Sequence, residues 1–220
     1  MVKKVIINKN IFFKFLKQNK GMMKHMKIIL ASTSPRRKEL MDLGGFDYEV
    51  LAGKIDETPD YSLSIEEQSK DIAYRKAKFV YDNTQGDRVV IGADTLVVKD
   101  DKIYGKPESK EDAVNMLREL QGKKHYIYTS IAVLLEQREK EKEYNELFKT
   151  AIYVKPMNDI EIAQYIENER PFDKAGSYAI QGPFAIFVEK IEGNYTSALG
   201  LPIQRIYEIL KENGIVGTIF

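Results

Sequence analysis

The chain has 220 residues, enough for one domain with a sizeable core and too few for two ordinary ones; its 34 basic and 33 acidic residues leave a net charge of +1. That balance gives no global pull toward nucleic acid or acidic partners. With no cysteine and only two histidines, His25 and His125, the chain excludes disulfide scaffolds, thiolate zinc sites and cysteine nucleophiles. It also supplies a histidine-rich metal centre or a Ser-His-Asp triad poorly, so any metal is expected on oxygen ligands and the compartment is expected to be reducing and cytoplasmic.

Residues 1–26 read as a separate basic extension, loosely ordered, ahead of a single folded domain at 27–220. Lys3, Lys4, Lys9, Lys14, Lys17, Lys20 and Lys24 occur there without an acidic residue. They interrupt every apolar run, so neither a secretory segment nor a membrane span fits. A basic arm for nucleic acid or anionic lipid is the alternative reading. Met22, Met23 and Met26 precede the first convincing strand and stand beside Met1 as candidate starts.

Ile28-Ile29-Leu30-Ala31 predicts a strand, and Ser32-Thr33-Ser34-Pro35-Arg36-Arg37 then opens a helix. Ser34 suits the N-cap and Pro35 the first helical position; Leu40, Met41 and Leu43 recur at helical spacing until Gly44-Gly45. Two arginines on a first turn oppose the helix dipole unless an anion arrives, so Ser32, Ser34, Arg36 and Arg37 read as a phosphate site, with a solvated basic turn as the plainer alternative.

Tyr48-Glu49-Val50-Leu51 reads as a short strand, followed by a polar loop with Asp56-Glu57-Thr58-Pro59. Ser64 and Glu67 form a capping box for a helix through about Tyr81 that carries Arg75-Lys76. Residues 89–98 form a strand apolar on both faces, interrupted by Asp94-Thr95. A carboxylate among apolar neighbours costs several kcal/mol unless paired or bound to metal. Asp94 is therefore a candidate general base, its pKa raised by the apolar strand, or a metal ligand with Glu57; a strand-end Asp accepting backbone N–H groups is the plainer reading. Asp100-Asp101 turns this strand into Lys102-Ile103-Tyr104, a hairpin, after which Pro107 holds Lys106 extended. Lys76 and Lys106 taken singly read as surface charges; gathered with the arginines around a phosphate they form a clamp.

Ser109 and Asp112 start a helix ending near Gly122. Strands at about 126–135 and 144–154 follow, joined by a charged stretch, 136–143, that reads as a solvated loop. Asn158 and Glu161 cap another helix. A glycine-punctuated loop then holds Asp173-Lys174-Ala175-Gly176 and Ile180-Gln181-Gly182, where the Gln181 amide can pair with a base edge. A strand at 184–191, a turn at Gly193-Asn194 and a helix at 201–212 complete an α/β protein with a mixed, twisted sheet flanked by helices.

In this order, Leu30-Ala31-Ser32-Thr33-Ser34-Pro35-Arg36-Arg37, Asp56-Glu57, Arg75-Lys76-Ala77, Ile91-Gly92-Ala93-Asp94-Thr95, Gly105-Lys106-Pro107, Asp173-Lys174-Ala175-Gly176, Ile180-Gln181-Gly182 and Gly200-Leu201-Pro202 resemble the Maf family of nucleoside triphosphate pyrophosphatases, from Lys27 to nearly the end. The resemblance implies a deep central cleft like that of inosine triphosphate pyrophosphatases. It also implies Mg²⁺- or Mn²⁺-dependent hydrolysis between the α- and β-phosphates in nucleotide-pool house-cleaning, and it leaves room for a homodimer. Arg36, Thr95 and Gln181 match the positions tied to substrate choice, and S-P-R-R, G-A-D-T and I-Q-G resemble the dTTP/UTP branch. The tryptophan, G-S-D-Q and glutamate of the 7-methyl-GTP branch are absent. Two features depart from the pattern: the lysine-rich extension, and Asn168-Glu169-Arg170 before the D-K-A-G motif. A 7-methyl-GTP-type enzyme, a weakly catalytic regulator of septum formation and cell division, and a nucleic-acid binder acting through the basic arm are the rival readings.

Overall fold

The computed structural model describes residues 26–215, so the expected basic extension at 1–26 lies almost wholly outside the described residues. The elements in chain order are β1 (Lys27–Leu30), α1 (Pro35–Leu43), β2 (Glu49–Val50), α2 (Ile65–Asp82), β3 (Arg88–Lys99), β4 (Lys102–Tyr104), α3 (Lys110–Leu120), β5 (Lys124–Gln137), β6 (Lys140–Val154), α4 (Asp159–Glu169), β7 (Val188–Glu192), α5 (Tyr195–Ala198) and α6 (Ile203–Glu212). One sheet runs β2-β1-β3-β5-β6-β7, with β4 also on β3. β1 lies parallel to β2 and β3, and every other pairing is antiparallel, so the sheet is mixed as expected.

Both expected capping boxes form, at Ser64/Glu67 and Asn158/Glu161, and the Ser109 side chain accepts from the Asp112 amide. The Asp100-Asp101 turn is present with both residues at positive φ, the geometry that suits strand twist. Among the described residues no helix is long and apolar enough to cross a membrane.

Four expectations need correction. Ser34 precedes α1 but its side chain caps nothing; its amide instead donates to Ser32 Oγ at 3.3 Å. The stretch 136–143 is not a loop: β5 and β6 stay paired to Gln137 and Lys140, leaving a two-residue turn at Arg138-Glu139 with φ of 53° and 64°. Charge there marks an exposed ribbon whose cross-strand neighbours are solvated, and Arg-Glu lacks the usual Asn-Gly signature of such a turn. The strand expected at 184–191 begins only at Val188, because Pro183 opens a 3₁₀ turn, Pro183–Phe187, that buries Phe184 against Tyr165 and Tyr178. Finally, Asn194 caps the short helix α5, and Pro202 stands at the N-cap of the last helix, α6, which therefore begins at Ile203 rather than 201.

The sheet opens at one place. On one edge of β3, β1 pairs as far as Ile91 and β4 begins at Val97, so residues 92–96 have no strand neighbour on that side among the described residues. Side chains alternate along β3, and the two faces meet different layers. Val90, with Ile29, Ala73, Ala77 and Ala132, packs beneath α2; Ile91, Ala93 and Val97 join the larger core under the remaining helices. Gly92 lets α2 come close, since a Cβ there would lie 2.4 Å from the Ala73 carbonyl oxygen and 2.7 Å from the Ala77 amide nitrogen.

Candidate active site

A cleft of about 890 Å³ opens at the gap in β3. Ser32, Ser34, Arg36, Arg37, Glu57, Lys76, Asp94, Thr95, Lys106 and Gln181 all line it, so every site residue expected from the sequence comes together there.

On the α2 face of β3 lies an ionic cluster. Asp94, only 7% exposed, receives Lys76 Nζ at 3.0 Å and the Ser69 hydroxyl at 3.4 Å. Lys76 also meets Glu57 at 2.8 Å, so one ammonium joins both carboxylates. Arg75 delivers Glu57: its guanidinium donates to the Asp56 carbonyl and, at 2.9 Å, to the Thr58 carbonyl, gripping the loop on either side. The apolar strand is thus only part of the Asp94 environment, which has an ammonium and a hydroxyl against the carboxylate. Arg75 stood in the Arg75-Lys76-Ala77 motif with no role of its own, because a helical arginine that binds backbone looks like any surface arginine.

Arg37 is bolted into the wall. Its Nε donates to the Gly200 carbonyl at 3.0 Å, Nη1 to Ser32 Oγ at 3.2 Å and to the Ala93 carbonyl at 2.9 Å, and Nη2 to Thr95 Oγ1 at 3.1 Å. The Ala93 carbonyl lies in the unpaired stretch of β3, so a guanidinium satisfies what a neighbouring strand otherwise would. Four donors of the five are engaged. Burial lowers the Arg37 pKa, while Asp94 and Glu57 favour its cation.

Arg36, Lys54 and Lys106 also line the cleft, and among the described residues their side chains have no hydrogen bond or ion pair. Lys54 was not expected; one lysine in a polar loop gives no sequence signal. Lys106 is held through its neighbour, since the Gly105 carbonyl accepts from the Gly176 amide at 3.0 Å, and Gly176 sits at φ 67°.

The other half of the cleft is apolar, with Val97, Ile127, Tyr178, Ile180, Ala198 and Leu199 around the polar points Thr95 and Gln181. Tyr178 contacts the ring of Phe184 at 4.6 Å and its hydroxyl lies 2.5 Å from His125 Nε2. Burial raises the Tyr178 pKa and pushes that of His125 down to about 4, so His125 is neutral and serves structure. The cleft thus has a charged half suited to phosphates and metal and an apolar half suited to a ring, on opposite faces of β3.

The family model described as "Maf-like protein" matches residues 27–213. The chain belongs to that family. Among curated relatives of this Maf-like chain, a dTTP/UTP pyrophosphatase of Thermoanaerobacter sp. (strain X514) is 42% identical over 84% of this chain and 96% of its own. One from Alkaliphilus oremlandii is 44% identical over 84% and 95%, and one from Bacillus anthracis 41% over 86% and 96%. A solved nucleoside-triphosphatase / dITP/XTP pyrophosphatase from Mycobacterium abscessus overlaps at a TM-score of 0.35 and 16% identity, over 58% of this chain and 74% of that one, too loosely to bear on fold or function.

Proposed function

We propose that this Maf-like protein hydrolyses dTTP and UTP between the α- and β-phosphates, releasing the nucleoside monophosphate and pyrophosphate and clearing nucleotide pools. The observation that carries the reading is the pairing, in one cleft, of a carboxylate-lysine cluster and three cations without a side-chain partner among the described residues with an apolar pocket holding Thr95 and Gln181. Relatives named dTTP/UTP pyrophosphatase at 41–44% identity support it.

Arg36, Lys54 and Lys106 bind the triphosphate, helped by the uncapped amides at the start of α1 and by the one Arg37 donor left over. Glu57 and Asp94 would hold a divalent cation: they converge on one point from two elements, and a pair of hard oxygen ligands completed by phosphate oxygens and water suits Mg²⁺ or Mn²⁺. When bound, such an ion neutralises phosphate charge and makes water a better nucleophile. Asp94 has one of two roles there, ligand to the ion beside Glu57 or acceptor of the proton of the water that attacks the α-phosphorus, and Lys76 holds both carboxylates until the substrate complex forms. The Gln181 amide N–H can donate to the O4 carbonyl of uracil or thymine, where cytosine carries an amino group instead. The cysteine-free composition agrees with work in a reducing cytoplasm.

A nucleotide panel followed by pyrophosphate release tests the reading. dTTP and UTP should lead in kcat/KM, CTP should trail, and ATP and GTP should be poor, with Gln181→Glu reordering the panel more than it lowers the best rate. Preference for purines or 7-methyl-GTP would refute the pyrimidine assignment, and absence of pyrophosphate release would refute the reaction.

A further inference from the structure

Thr129, on β5 directly opposite Thr95 on β3, is fully buried, and the cleft does not include it. Its hydroxyl donates to the Ser197 carbonyl at 2.7 Å, a direction that cannot be reversed because a carbonyl has no hydrogen to give. A hydroxyl has one hydrogen, so in its 3.3 Å contact with Thr95 Oγ1 the Thr129 oxygen can only accept. That separation is long for a hydroxyl pair, but among the described residues Thr129 Oγ1 is the acceptor the structure offers the Thr95 hydrogen. Thr95 Oγ1 in turn accepts from Arg37 Nη2 at 3.1 Å. The polarity of the whole chain follows: Arg37 to Thr95 to Thr129 to the Ser197 carbonyl.

The root of the chain is fixed. Ser197 belongs to α5; its amide donates to Asn194 Oδ1 at 2.7 Å and its hydroxyl to the Asn194 carbonyl at 2.8 Å, while Thr150 on β6 lies 3.0 Å from Ser197 Oγ. The Ser197 carbonyl is therefore held in place by the cap of its own helix and by the next strand. Thr95 is left with its hydrogen committed, one lone pair taken by Arg37 and one lone pair over, in a pocket shared with Gln181.

We propose that Thr129 is a positioning residue for base selection: by accepting the Thr95 hydrogen, it makes Thr95 present only an acceptor to the bound base. The proposal rests on the pyrimidine-nucleotide reading above. An acceptor at that point pairs with the N3–H of uracil or thymine and faces the N3 lone pair of cytosine, an unpaired juxtaposition that a site built for the other edge rejects. Without the Thr129 oxygen, the Thr95 hydroxyl is free to rotate and donate to cytosine N3, and the preference weakens.

Thr129→Val and Thr129→Ser decide the matter, with kcat/KM for UTP and CTP and a melting curve for each. The expected result is a UTP-to-CTP ratio reduced about tenfold in Thr129→Val and kept in Thr129→Ser, with no further effect of Thr129→Val in a Thr95→Val background. Equal loss for both nucleotides, or an unchanged ratio, in an active and folded Thr129→Val would overturn the proposal while leaving the pyrophosphatase reading intact. A wild-type protein that releases no pyrophosphate from UTP overturns both. If Thr129→Val does not fold, Thr129→Cys, whose sulfur is a weak acceptor for the Thr95 hydrogen, is read by the same two outcomes.

Discussion

Lys76 Nζ lies 3.0 Å from the Asp94 carboxylate, across the seam between α2 and β3. The same ammonium holds Glu57 at 2.8 Å, so the fold has already placed two acidic groups around one point, ready to exchange a lysine for other positive charge. Asp94→Asn keeps the volume and the hydrogen bond to Ser69 while removing the charge. Turnover should fall by about a hundredfold or more, with the circular dichroism spectrum unchanged. Activity within tenfold of wild type would show that the carboxylate has no part in the reaction.

Arg36 and Arg37 are adjacent in sequence and should differ in kind. The Arg36 side chain has no hydrogen bond or ion pair among the described residues, whereas Arg37 ties α1 to β3 and to the Gly200 turn. Arg36→Met is expected to raise KM for the nucleotide and leave the melting temperature where it was. Arg37→Met strips donors from two backbone carbonyls and should cost about 1–3 kcal/mol of stability. Urea unfolding of the two variants beside their kinetics tests the contrast, and the opposite pattern would overturn the assignment of roles.

Gly92→Ala puts a methyl 2.4 Å from the Ala73 carbonyl oxygen. α2 must then lift away from β3, at a cost on the order of 1–3 kcal/mol for overpacking, and Lys76 moves with it. The urea midpoint should drop, and turnover measured well below that midpoint should fall as well, because the Lys76 to Asp94 distance is set by this contact. Gly105→Ala, where nothing lies within 4 Å of the new Cβ, is the stability control. An unchanged midpoint in Gly92→Ala would show that the close approach is not needed.

His125 gives the fold a pH dependence. Burial pushes its pKa down to about 4 from an ordinary 6.5, so the unfolded chain binds a proton there that the folded chain refuses. The stabilising contribution is complete above 6.5 and is lost as pH falls toward 4, amounting to roughly 3 kcal/mol over that window. Melting temperatures recorded from pH 7 to pH 4 should fall more steeply for wild type than for His125→Phe, the shared carboxylate titrations cancelling in the comparison. Parallel curves would remove His125 from the acid response.

The sequence by itself determined much of the local structure and the membership of the site. Capping boxes at Ser64 and Asn158, the α1 start at Pro35 and the tight Asp100-Asp101 turn are short-range events, encoded by residues within a few positions of one another. The motifs, weak singly and specific in their order, also picked out residues that line the cleft. Local signals misled in two ways: Phe184 sits in a 3₁₀ turn because its ring packs on Tyr178 and the more distant Tyr165, and the Ser34 side chain caps nothing because its own amide is taken by Ser32 Oγ, a nearby hydroxyl that also receives Arg37. Only the tertiary structure could divide the site residues by role. Asp94 and Thr95 are neighbours in sequence, yet the alternation of a strand sends one to the α2 face and the other to the opposite core, into the charged and the apolar half of one cleft. Whether a donor such as Arg37 is free or spent depends on carbonyls as far away as Gly200, 163 residues along the chain, and no pattern within a window of sequence carries that information.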